Sequence, residues 1–238
     1  MAGPARRRIG ILGGMGPEAT VQLMQRVIDR TAVRDDEDHV PMIVDNNPQV
    51  PSRLKAIVEG TGEDPGPVIA EMARRLEAAG AEALAMPCNT AHHYAPQIEA
   101  AVSMPFLNMV ELSADRLAND GARRVGLLAS PAVKITGIFD RAFAARGIES
   151  LFPDDREALL RAIRAVKISS RSPEAREILS EAATELGEKG ADSLLVACSE
   201  FSIIADAIAS PLPVVDTVDI LADAIVAFSG ADAAEPKG

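Results

Sequence analysis

The sequence predicts an α/β fold made of two pseudo-symmetric α/β domains, each a parallel sheet flanked by helices, with a ligand cleft between them. Three pairs of segments, met in the same order in both halves, carry that prediction. Gly80-Ala81-Glu82-Ala83-Leu84-Ala85-Met86-Pro87-Cys88 aligns with Gly190-Ala191-Asp192-Ser193-Leu194-Leu195-Val196-Ala197-Cys198 at a constant offset of 110 (198 − 88). Arg7-Arg8-Ile9-Gly10-Ile11-Leu12 resembles Arg123-Arg124-Val125-Gly126-Leu127-Leu128, and Pro105-Phe106-Leu107-Asn108-Met109-Val110 resembles Pro213-Val214-Val215-Asp216-Thr217-Val218. Chance can supply one such match, but three in order indicate an internal duplication.

The elements follow from local patterning. Residues 9–12 are a short apolar run closed by Gly13-Gly14-Met15-Gly16. Behind Pro17, the residues Ala19, Val21, Leu23, Met24, Val27 and Ile28 recur at helical spacing, which reads as strand, tight loop and helix. Residues 40–44 read as a second strand, stopped by the turn-rich Asp45-Asn46-Asn47-Pro48. Residues 68–79 form an amphipathic helix closed by Gly80, and 83–86 a buried strand that stops at Pro87-Cys88. The segments 105–110 and 213–218 are each read as a further strand. No low-complexity linker separates the halves, so the crossover at 111–121 is expected to be helical. A last helix at 219–228 is expected to pack back on the first domain. The expected division is therefore 1–112 plus 217–238 for the first domain and 113–216 for the second.

Composition removes several function classes. Hydrophobic residues make up 47% of the 238 and charged residues 25%, the balance of a folded globular chain. Aromatics are only 3%, with no Trp, which leaves no platform for stacked bases. A net charge of -11 opposes binding to nucleic acid or an anionic membrane, both of which need a positive field. No apolar run approaches the roughly 20 residues of a membrane span. Arg6-Arg7-Arg8 is not followed by the apolar region and cleavage site of a signal peptide. A cytoplasmic location is expected, and there the only two cysteines, Cys88 and Cys198, are expected to be thiols rather than a disulfide.

Ligands of parallel α/β sheets bind at the carboxyl ends of strands, and both cysteines fall there. The duplication sets one thiol from each half across the interdomain cleft. Two opposed thiols suit the removal of a proton from one face of a tetrahedral carbon and its return to the other, provided one is a thiolate and its partner protonated. A single free cysteine is ordinarily a buried apolar residue. Two at matched positions, each followed by polar residues (Asn89-Thr90 and Ser199-Glu200), favour chemistry.

Four segments in order resemble the signatures of the aspartate/glutamate racemase family, with aspartate racemases the nearer branch. They are Gly13-Gly14-Met15-Gly16-Pro17-Glu18-Ala19-Thr20, Asp45-Asn46-Asn47-Pro48-Gln49-Val50-Pro51-Ser52-Arg53, Met86-Pro87-Cys88-Asn89-Thr90-Ala91-His92 and Ala197-Cys198-Ser199-Glu200. The resemblance implies racemisation of an acidic amino acid without PLP or any other cofactor, no metal, a catalytic pair Cys88 and Cys198, and a homodimer. It further implies that Arg53 and Lys167 hold the substrate's side-chain carboxylate. Asn89, Thr90 and Ser199, with backbone near Met15, would cradle its head group. Ser130 is carried over as a substrate-side residue, in a loop Ser130-Pro131-Ala132-Val133 that departs from the family's Thr-x-Gly-Thr and loses a hydroxyl at Val133.

Read without the family, Arg53 can equally be a solvated loop residue, Lys167 a lysine snorkelling on a helix, and Asn89-Thr90 a helix cap. Two other function classes compete. Gly14-x-Gly16-x-x-Ala19 after a strand matches the loose dinucleotide fingerprint of an NAD-dependent oxidoreductase, with Asp45 as the acid, although Asp45 comes late and the duplicated cysteine segment goes unexplained. A noncatalytic binding protein for an acidic ligand would make both cysteines core residues. His39, His92 and His93 lack the spacing of metal ligands.

Overall fold

Each half of the chain folds into a four-stranded, wholly parallel sheet, as the duplication predicts; the computed structural model describes residues 6–234. The ends of the expected first domain, 1–5 and 235–238, lie outside the described residues. The first half runs β1 (Ile9–Gly13), α1 (Pro17–Arg30), β2 (Met42–Asn46), α2 (Gly66–Ala78), β3 (Ala83–Ala85), α3 (Ala95–Glu99), β4 (Phe106–Leu107) and the crossover helix α4 (Met109–Asn119). The second runs β5 (Arg124–Ala129), α5 (Pro131–Thr136), α6 (Ile138–Ala144), β6 (Glu149–Leu151), α7 (Arg156–Ile168), α8 (Pro173–Glu188), β7 (Ser193–Ala197), α9 (Ser199–Ile203), β8 (Val214–Asp216) and α10 (Thr217–Ser229). The sheet orders, β2-β1-β3-β4 and β6-β5-β7-β8, are the same permutation.

The repeats in the sequence have a packing cause. Gly10 pairs with Leu84, and Gly126 with Leu194, in equivalent registers. A Cβ on Gly10 would lie 2.9 Å from Ala81 Cβ and 3.2 Å from Leu76 Cβ, and one on Gly126 2.8 Å from Leu194 Cδ2 and 2.9 Å from Leu186 Cβ. Each glycine thus lets a helix, α2 or α8, sit directly on the central strand. The acidic residues of the repeat are equivalent too, since Glu82 accepts from Arg8 N–H and Asp192 from Arg124 N–H, at 2.8 and 2.9 Å.

Two strands are shorter than the pattern of apolar residues predicts. The segments 105–110 and 213–218 each give up their second part to a helix. Asn108 Oδ1 accepts from Val110 N–H at 3.0 Å and Asp216 Oδ1 from Val218 N–H at 2.8 Å, so each caps the helix that follows, α4 or α10. The helix over 68–79 starts two residues early, at Gly66, and closes at Gly80, whose φ of 90° needs glycine.

Each sheet carries apolar cores on both faces. Val218, Leu221, Ala222, Ile225 and Val226 of α10 join Ile9, Ile11, Leu23 and Val27 of β1 and α1 in one core, so the last helix packs against the first sheet. Among the described residues no helix is long and apolar enough to cross a membrane.

Candidate active site

Cys88 and Cys198 stand just beyond the carboxyl ends of equivalent strands. Cys198 follows β7 directly and keeps extended backbone, with φ -148° and ψ 125°, at the start of α9. Cys88 comes three residues after β3 ends, because Pro87 has no N–H to continue the ladder. Its carbonyl then accepts from Ala91 N–H at 3.1 Å and opens a short 3-10 turn, Thr90–Tyr94. Both are free thiols, 7% and 6% exposed, and both line one cavity of about 60 Å³ between the halves. A cavity of that size restricts the occupant to a small molecule.

The same cavity collects Met15 from the β1–α1 loop, Arg53, Thr90, Ser130 and Lys167 from α7. Thr90 Oγ1 and Ser130 Oγ share a hydrogen bond of 2.9 Å across the two halves. Arg53 Nη1 donates to the carbonyls of Val50 and Pro51 at 3.3 and 3.0 Å, which anchors the guanidinium. Its buried Nε has no partner. Nε and Nη2 form the guanidinium edge that meets a carboxylate with two parallel bonds. A buried donor left unmade costs about 1–3 kcal/mol, so a carboxylate at this edge would be favoured.

Asn89 and Ser199 are beside the thiols but do not line the cavity. Asn89 Nδ2 donates to Thr217 Oγ1 at 2.9 Å, and that hydroxyl donates to Val196 O at 3.0 Å, so Asn89 ties the turn after Cys88 to the second half. Asn89 Oδ1 is buried without a partner. Ser199 Oγ donates to Glu200 at 3.4 Å.

Glu200 is a cavity residue that the reading of the sequence assigns no role. The residue is 9% exposed; one carboxylate oxygen is ion-paired with the Lys167 ammonium, and the other accepts from Cys198 Sγ at 3.2 Å. The signal was present in the repeat, where Glu200 occupies the position of Thr90, a charge in place of a hydroxyl. Burial pushes the Cys198 thiol well up, and the Glu200 charge and hydrogen bond push it further. Burial pulls Lys167 down, but the charge and hydrogen bond of Glu200, together with the negative charge that the cysteines carry when ionised, outweigh it, so its pKa lies above the ordinary lysine value.

His92 sits behind the site. Its Nδ1–H donates to Cys88 O at 2.9 Å, its Nε2 accepts from Met109 N–H at 3.1 Å, and burial pulls its pKa down to about 4. Both ring nitrogens are spent on the main chain of the neutral tautomer. Among the described residues no group of three or more His, Cys, Asp and Glu could hold a metal ion.

The glycine loop after β1 is explained by packing. Gly14 has φ 89°, a Cβ there would lie 2.3 Å from Asn47 C, and its N–H already donates to Thr20 Oγ1 at 2.9 Å. Asp45, the acid of the dinucleotide alternative, is ion-paired with Arg75 at 2.6 Å.

Comparison with known proteins places the chain in a family. Residues 12–225 match the family described as Asp/Glu/Hydantoin racemase. The broad specificity amino-acid racemase RacX of Bacillus subtilis is 27% identical over 232 residues, covering 92% of this chain and 96% of its own. The structure of Picrophilus torridus aspartate racemase superposes with a TM-score of 0.86 at 31% identity, over 96% of each chain. Glutamate racemase from Francisella tularensis, in complex with D-glutamate, shares the fold with a TM-score of 0.69 at 15% identity, over 94% of this chain and 81% of that one. Matched over most of its length by the family and by these relatives, the chain belongs to the Asp/Glu/hydantoin racemases and is an isomerase.

Proposed function

We propose that the protein racemises an acidic amino acid, aspartate or glutamate, by direct proton transfer at Cα between Cys88 and Cys198, without a cofactor. The observation that carries this reading is the convergence of two free thiols, from equivalent strands of the two halves, on one small cavity. A base on one face of Cα and an acid on the other is what inversion requires. The cations lining the cavity support an acidic substrate: of Arg53 and Lys167, only Lys167 has an acidic partner there, Glu200. Arg53, with an unpartnered Nε on its fork, is suited to the side-chain carboxylate. Lys167 joins it as a shared cation, and the Thr90–Ser130 hydroxyl pair and the backbone at Met15 face the head group. Asn89 and Ser199 support the same segments from behind.

The Bacillus relative is named for broad specificity and the Picrophilus one for aspartate. Because Glu200 already engages Lys167, a single cation, Arg53, is left to select a side-chain carboxylate, and that weaker selection favours a second reading in which some neutral amino acids are accepted as well. A cytoplasmic location belongs to the proposal, since the mechanism needs reduced thiols. So does a homodimer, for which Val21 and Ile28 on α1, 64% and 40% exposed at one helical face, offer apolar surface.

The test uses protein dialysed free of metal and PLP, incubated with single enantiomers of aspartate, glutamate and a set of neutral amino acids while optical rotation is followed. Rotation of an acidic amino acid should decay to zero from either enantiomer, and Cys88→Ala and Cys198→Ala should each abolish the decay. Activity that appears only when PLP is added, or full racemisation by either single-thiol variant, would sink the proposal.

A further inference from the structure

The two thiols face unequal surroundings, although the halves that carry them are repeats. The residue two places after Cys88 is Thr90, which forms a neutral hydroxyl pair with Ser130. Two places after Cys198 stands Glu200, a buried carboxylate in contact with the thiol itself. In its ion pair with Lys167 the group is present as a carboxylate, which only accepts hydrogen bonds. The contact between Cys198 and Glu200 is therefore one that a thiol can make and a thiolate cannot. Deprotonating Cys198 would bring two negative charges to within 3.2 Å of each other in a water-poor site.

We propose that Glu200 holds the proton on Cys198, so that before substrate binds Cys198 is the acid of the pair and Cys88 the base. The assignment rests on the two-thiol reading above. In the first turnover the Cα–H bond breaks towards Cys88, whose thiolate becomes a thiol. The S–H bond of Cys198 breaks as its proton is delivered to the opposite face of Cα. Cys198 is left as a thiolate beside the Glu200 carboxylate, and the resting state returns when Cys198 takes a proton from water and Cys88 releases one. No electron is gained or lost. Glu200 acts through the thiol and is a positioning residue in this scheme. The burial of Cys198, which by itself disfavours the thiolate, works in the same direction. The other groups facing this cavity are the cations Lys167 and Arg53 and the second thiol, Cys88.

Because two enantiomers are equal in free energy, kcat/KM is the same in both directions and cannot report this asymmetry. Protonation of Cys198 can. With Cys88→Ala as background, Cys198 is the sole thiol, and its ultraviolet thiolate absorbance is followed against pH in three proteins: Cys88→Ala alone, and the same chain with Glu200→Gln or Glu200→Thr added. Both additions remove the charge, and Glu200→Thr installs the residue of the other half. Each should lower the midpoint by about one pH unit or more, a tenfold change in the thiol equilibrium. Two variants guard against loss of fold in one, and circular dichroism checks both. In a chain with both cysteines, Glu200→Gln should also move the alkaline limb of kcat/KM to lower pH, whereas a purely structural defect would lower the rate and leave the limb in place. Unmoved midpoints in both variants overturn the assignment. A protein that racemises nothing removes the racemase reading, and the thiol titration then still reports on Glu200 separately.

Discussion

His92 is held as a neutral ring because its two nitrogens face opposite partners, a carbonyl at Cys88 and an N–H at Met109, in a site closed to water. A proton added to Nε2 would meet the Met109 N–H, and burial would leave the charge unsolvated. The folded pKa is about 4 against an ordinary 6.5. Between these values the unfolded chain binds a proton that the folded chain refuses, so the contribution of His92 to stability is complete above pH 6.5 and lost as pH falls towards 4. The shift corresponds to about 3 kcal/mol. Carbon-detected NMR of the imidazole should show no protonation near neutral pH in the folded protein, and a ring that titrates at an ordinary histidine value would refute this. The sequence exposes the thiols, because strand ends are a local signal, whereas Arg53 is singled out only by the family resemblance, its Pro-flanked loop alone fitting a solvated residue equally well. It does not expose the work of His92 or Glu200, which depends on partners 17 and 33 residues away. For Asn89 the residue type fits a substrate contact, yet the fold turns its amide to Thr217.

Elements were legible wherever periodicity and punctuation agreed, and less so where a cap competes with a strand. Asn108 and Asp216 follow β-branched or aromatic residues that look like continuing strand, and the side-chain oxygen that starts a helix there is visible only when its acceptor geometry is known. The matched glycines on β1 and β5 were visible as part of the repeat, and their cause is the close seating of α2 and α8. Gly126→Ala should therefore cost about 1–3 kcal/mol, since its Cβ would press on Leu186 Cβ at 2.9 Å, an atom next to the backbone that cannot swing away. Gly187→Ala, one residue after Leu186 on the same helix, meets nothing nearer than Leu212 Cδ1 at 3.7 Å and should stabilise by about 0.5–1 kcal/mol. Urea unfolding of the two variants gives opposite signs if the close packing is real. Two destabilised proteins, or two unchanged ones, would remove the packing explanation for the repeat.

At the scale of the whole molecule the proposed two-thiol reaction requires the two halves to hold their thiols opposed, and one buried ion pair ties the halves together close to Cys198. Arg26 on α1 reaches Asp216 at 2.8 Å and Asp219 at 2.7 Å, and also donates to Ser202 O at 2.9 Å on α9, the helix that begins after Cys198. Asp216 in turn accepts from Ser202 Oγ at 2.8 Å and caps α10. Burial pushes the Asp216 carboxyl up against the pull of Arg26, so the pair is a compromise in which each charge depends on the other. Removing one partner alone leaves a buried charge, and Arg26→Met should destabilise the fold by about 3–5 kcal/mol. Adding Asp216→Asn removes that charge and keeps a side chain that can still cap α10, so the double variant should recover most of the loss. Recovery is expected in urea stability but not in racemisation, because the guanidinium that fixes the Ser202 carbonyl, and with it the start of α9, is still missing. A double variant no more stable than Arg26→Met would mean that the loss comes from the contacts to Asp219 and Ser202 rather than from an uncompensated charge. Recovery of both stability and full activity would separate this latch from the alignment of Cys198.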